Sequence, residues 1–153
     1  MADEKYYEQK LTNVTINCIR AKQDALTFSQ ISEKRSMLVG SITYTISRLI
    51  GIGGSEARTY IDLSTGKFEG GKWMPHCLDP ELKNLFVQLE TVTKEINKYS
   101  FKTATDALNV ANTKTEEVGR VIKEVKSVFG EVKAKEIAAR AKAAAIKATG
   151  INF

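Results

Sequence analysis

The stretch YEQKLTNVTINCIRAKQDALTF, residues 7–28, decides how the chain is read. Apolar or small side chains recur at Tyr7, Leu11, Val14, Cys18, Ala21, Ala25 and Phe28, an unbroken alternation of four and three residues. A strand would need a period of two, so this spacing predicts a helix with one sticky seam. The next stretch, SMLVGSITYTISRLI, supports two readings. It continues as a helix through Leu38, Ile42, Ile46 and Leu49, or alternates as a strand through Ile42, Tyr44 and Ile46. Continuity with the preceding seam favours the helix.

Glycine then punctuates the chain in GIGGSEARTYIDLSTGKFEGGKWMP, residues 51–75. Within it TYIDLSTGKFE reads as a hairpin that caps one end of a bundle. Ile61 and Leu63 share one face, Tyr60 and Asp62 the other, and Gly66 supplies the positive φ that the turn requires. LDPELKNLF next announces a helix, with Asp79 as N-cap, Pro80 in the first turn and Glu81 near the positive end of the helix dipole. From there a seam runs through Leu82, Leu85, Leu89, Val92, Ile96 and Tyr99, breaks near Ser100, and resumes at Ala104, Leu108, Ala111, Thr115, Val118, Ile122, Val125, Phe129 and Val132. A second break near Gly130 sets off an alanine-rich tail with a narrow seam at Ile137, Ala141, Ala144 and Ala148.

The expected fold is therefore mostly α: long antiparallel, heptad-bearing helices of bundle or coiled-coil type, with a small β-hairpin insert near residues 57–70. At 153 residues the chain fits one helical domain, 1–153, in three parts: helices over 1–50, the glycine-rich loop and hairpin over 51–78, and long helices over 79–150. Apolar residues make up 42% and charged residues 27%, the balance of a folding, soluble chain rather than a disordered one. The acidic N-terminus MADEKYYEQKL does not resemble a secretory signal, and no apolar run approaches a membrane span, so an intracellular, cytoplasmic location without membrane binding is expected. Cys18 and Cys77 form no CxxC pair and are expected to be reduced thiols; the sequon at Asn13 is then idle.

No chemistry-bearing motif survives close reading. GIGGS at 51–55 continues into Glu56-Ala57-Arg58, where a phosphate loop needs Gly-Lys-Ser/Thr, and it lacks the third glycine of a dinucleotide fingerprint; it reads as a connector. His76, the sole histidine, adjoins Cys77, and with Cys18 makes three ligands at no recognisable metal spacing. Neighbours such as His76 and Cys77 are awkwardly placed for a nucleophile and its base. Glu116 with Glu117, and Asp79 with Glu81, read as solvated or capping carboxylates. We expect no catalytic, cofactor or metal site.

Two binding surfaces remain. Trp73 and Met74, in KWMPH, form a candidate anchor, so that the alternative function is a small adaptor or inhibitor binding one protein partner through the 51–76 loop region, or else they plug the bundle end. The net charge is +5, and residues 118–153 carry 8 Lys+Arg against 3 Asp+Glu while residues 1–117 balance at 15 against 15. Lys126, Lys133, Arg140 and Lys147 recur every seventh residue, so on one continuous helix they would form a basic stripe with charges roughly 10.5 Å apart along the axis, flanked by Lys135 and Lys142. Such a stripe suits nucleic acid or an acidic protein through phosphate-type contacts, or serves only to keep a helix face solvated. The leading functional expectation is a non-enzymatic, self-associating structural or scaffolding protein, a homo-oligomer assembled through its seams.

Overall fold

The computed structural model describes residues 3–69 and 79–152. It is mostly helical, with α1 (Glu4–Ile50), α2 (Gly54–Arg58), the strands β1 (Ile61–Asp62) and β2 (Lys67–Phe68), then α3 (Pro80–Ile96), α4 (Ala104–Phe129) and α5 (Glu131–Thr149). None of the described helices is long and apolar enough to cross a membrane. The ambiguous stretch 37–50 is helix: Leu38, Ile42 and Ile46 are buried while Tyr44 faces solvent, which is the three-four pattern and not the alternating one. The chain forms two compact units, one from Met1–Thr27 with Phe101–Phe153, the other from Phe28–Ser100.

In the first unit the start of α1 packs with α4 and α5. Its core gathers Leu11 with Val121, Val125, Ala134, Ile137 and Ala141. Tyr7 meets Phe129 edge-on, ring centres 5.6 Å apart. The ion pair of Lys10 with Glu124, at 3.0 Å, and the approach of Cys18 Sγ to Thr115 Oγ1, at 3.4 Å, run α1 antiparallel to α4. Because the Thr115 hydroxyl donates to the Ala111 carbonyl at 3.0 Å, its proton is committed and the thiol is the donor between the two. Gly130, at φ +84°, ends α4 and lets α5 fold back along it. A left-handed residue is where glycine avoids the Cβ penalty.

Two seam assignments in this unit are off by one or more positions. Ala104, Leu108, Thr115 and Val132 are exposed; Ala111 and Val125 are buried as the seam expects, and α4 adds Ala107 and Val121 in place of the exposed positions. In α5 the buried row is Ala134, Ile137, Ala141 and Ala145, leaving Ala144 and Ala148 outside. A strict seven-residue repeat drifts about 20° per heptad on a straight helix. Ala107 lies about five whole turns before Val125 at 3.6 residues per turn, so the straight-helix period selects it over Leu108. Val132 follows the reversal at Gly130 and no longer shares the phase of α4.

In the second unit the remainder of α1 packs with α2, the hairpin and α3. Ile42, Ile46, Leu82 and Leu89 are fully or almost fully buried. Phe28 meets Tyr99 edge-on at 5.5 Å. Asp79 caps α3 as its sequence requires, its carboxylate accepting the Leu82 N–H at 3.0 Å. The hairpin pairs Ile61 with Phe68 and Asp62 with Lys67, and Leu63 lies in the turn, exposed, rather than beside Ile61. It lies along α3: Phe68 meets Phe86 edge-on at 5.7 Å, and Asn97 donates to the Ser64 carbonyl at 3.2 Å.

Gly66 makes that docking possible. Its φ is +75°, and a Cβ there would stand 2.6 Å from Thr93 Oγ1 and 2.8 Å from the Leu89 carbonyl. Both the backbone conformation and the close approach to α3 exclude a side chain. Gly66→Ala is therefore expected to destabilise the second unit by about 2–3 kcal/mol, read as a lower midpoint in urea denaturation. A stability equal to wild type would mean that the hairpin does not dock on α3 in solution.

Candidate functional site

The basic residues of the tail do not form one stripe. Lys126 lies near the end of α4, whereas Lys133, Lys135, Arg140, Lys142 and Lys147 lie on α5, beyond the break at Gly130. Two of them face carboxylates of the first unit. Lys133 pairs with Glu4 at 3.4 Å, and Arg140 binds Glu8 at 3.1 Å and also Glu4. These contacts run α1 parallel to α5 and hold the acidic start of the chain against the basic tail. Lys142, with Lys22, lines an apolar cavity of about 310 Å³ whose walls include Leu11, Cys18, Val118 and Ile146. Lys126, Lys135 and Lys147 are exposed.

Trp73 and Met74, the candidate partner anchor, lie outside the described residues, as do His76 and Cys77. Cys18 is buried. Glu117 pairs with Lys114 at 3.7 Å, and Glu81 with Arg48 at 3.3 Å. Among the described residues no three His, Cys, Asp or Glu side chains stand together as metal ligands.

A different feature emerges on α1. Within the second unit its inward face is Leu38, Ile42 and Ile46, and at about 100° per residue the opposite face presents Glu33, Met37, Gly40, Ser41, Tyr44 and Arg48 within a sector of about 100°. All six are exposed. Met37 is 67% exposed and Tyr44 69%, the largest values for big apolar side chains on this helix. Gly40 stands between them, in the middle of a long helix, where glycine costs about 1 kcal/mol relative to alanine. The unit's own packing does not demand it, since a Cβ at Gly40 would meet nothing within 4 Å. The sequence carried this signal as the seven-residue interval between Met37 and Tyr44, out of phase with the seam and hidden by the helix-or-strand ambiguity of the same stretch.

The electrostatics of the first unit are testable directly. The hydrogen bond from Arg140, followed by the nearby charge of Lys133, holds the Glu4 carboxyl below the ordinary glutamate range. A carboxyl whose pKa is lowered by folding stabilises the fold above its unfolded pKa, and that contribution is lost as pH falls through the folded value. Carbon-detected NMR titration of Glu4 should give a midpoint below that of a free glutamate, rising toward the ordinary value in Arg140→Gln. An unchanged midpoint in the variant would show that the pair is not formed in solution.

No family model, curated protein or solved structure matches this chain.

Proposed function

We propose that this is a non-enzymatic structural protein that self-associates through the outward face of α1 in the second unit. The seam residues Leu11, Phe28, Leu38 and Leu89 are buried in the units' own cores, so assembly falls to the outward face. The observation that carries the reading is the internal symmetry of that face. Reading outward from the point between Gly40 and Ser41, Gly40 mirrors Ser41, Met37 mirrors Tyr44 and Glu33 mirrors Arg48. Two copies crossing antiparallel about a twofold axis at that point therefore set small against small, thioether against ring, and acid against base.

Each of those pairings has a physical basis. An isologous interface needs a patch complementary to itself under the twofold operation. Gly40 and Ser41 let two helices approach closely, methionine sulfur packs favourably on an aromatic ring, and the paired charges fix register and direction more than they add affinity. Arg48 already bonds Glu81, yet its planar fork carries five N–H donors and retains some for a second carboxylate. The coiled-coil character expected from the heptads would then belong to this pairing between copies. A face with two large apolar side chains per copy is small, so dissociation constants of about 10 μM to 1 mM are expected.

Sedimentation equilibrium over that concentration range should show a monomer–dimer equilibrium. Tyr44→Lys and Gly40→Leu should each weaken it by about tenfold or more, which is ~1.4 kcal/mol, while circular dichroism stays unchanged because neither position packs inside the unit. A wild-type chain that remains monomeric at 1 mM would overturn the proposal, as would both variants dimerising like wild type.

A further inference from the structure

We infer that the second unit binds a small organic phosphate in a cleft between α1 and the GIGGS segment. The cleft has a volume of about 550 Å³, within the range of small-molecule sites and far more than an inorganic anion fills. Arg35 and Arg58 both line it, together with the hydroxyl-bearing residues Ser36, Thr43 and Ser55, while Val39 and Leu63 supply apolar wall. The two arginines come from segments more than twenty positions apart in sequence, brought to one cleft by the turn after α1. Among the described residues neither guanidinium has a carboxylate within ion-pair distance, although Arg48 on the same helix has Glu81. The intervening stretch 70–78 carries no Asp or Glu.

That arrangement is unfavourable without an anion. Arginine stays charged at any physiological pH. Arg35 is half-buried, so it loses hydration without gaining a counter-ion, and a second guanidinium at the same cleft repels it. A phosphate removes both penalties, because its oxygens match the guanidinium fork two at a time and accept from the neighbouring hydroxyls. Val39 and Leu63 then give the organic part of the ligand a surface that inorganic phosphate cannot use. The cleft borders the self-association face at Gly40, which belongs to both, but Arg35 and Arg58 lie off the side of α1 bearing Met37 and Tyr44, so the arginine variants leave that face intact.

Isothermal titration calorimetry of the full chain at low salt, with AMP and inorganic phosphate as probes, tests it. AMP is expected to bind saturably with one site per chain, at least tenfold tighter than inorganic phosphate. Arg35→Gln and Arg58→Gln should each weaken AMP binding tenfold or more with unchanged circular dichroism, whereas a double Lys126→Gln/Lys147→Gln variant should bind like wild type. Absence of saturable AMP binding, affinity no better than that of inorganic phosphate, full retention in both arginine variants, or loss in the lysine variant would each overturn the assignment.

Discussion

Burial of one face of α1 supplies core to both units and sets which of its side chains meet solvent. The helix contributes Leu11 and Cys18 to the first unit and Phe28, Leu38, Ile42 and Ile46 to the second. Each of those side chains is worth roughly 1.5–3 kcal/mol of apolar burial if aliphatic or aromatic, so the rotation of the helix about its axis is not free in either unit. Once Leu38, Ile42 and Ile46 point inward, Met37 and Tyr44 have only solvent to face. The outward face is a consequence of the core, and its composition is what calls for explanation: a surface position of a long helix has no need of methionine, tyrosine and an interior glycine.

Charge acts at a second level, placing elements that the apolar cores have already brought near. The basic excess of the tail is partly matched by the acids at the start of α1, through Glu4 and Glu8 with Lys133 and Arg140. These pairs are exposed and each contributes little to stability; their value lies in setting the direction of α5 along α1. The arginines of the second unit behave differently. Arg48 is matched by Glu81, but Arg35 and Arg58 share a cleft with hydroxyls and no acid among the described residues, which is the pattern expected where an anion from outside completes the set.

The sequence disclosed the elements well and their phases less well. Asp79-Pro80 fixed the start of α3 because cap chemistry is local, and Gly66 marked the hairpin turn for the same reason. The seam over 7–28 is legible because every position on it, from Tyr7 to Phe28, is buried or half-buried. In α4 the 3.6-residue period decides: Ala107, about five whole turns from Val125, is buried, and its neighbour Leu108 on the heptad pattern is exposed. The basic row over 126–147 presupposed an unbroken helix, which Gly130 denies. Arg35 and Arg58 could not be joined from sequence, since only the turn after α1 brings them to one cleft.

The proposed self-association through Met37, Gly40 and Tyr44 carries a specific geometry as well as a stoichiometry. A twofold axis between Gly40 and Ser41 brings position 37 of one copy to position 44 of the other, while the two copies of position 37 stand about 10 Å apart along the axis, beyond the reach of a disulfide. Oxidative cross-linking of a Met37→Cys/Tyr44→Cys variant in a Cys77→Ser background, mapped by mass spectrometry, reads this directly. A covalent dimer whose linked peptides join position 37 to position 44 is the required result. Links from 37 to 37 and from 44 to 44 would indicate a parallel pair and contradict this mode of assembly.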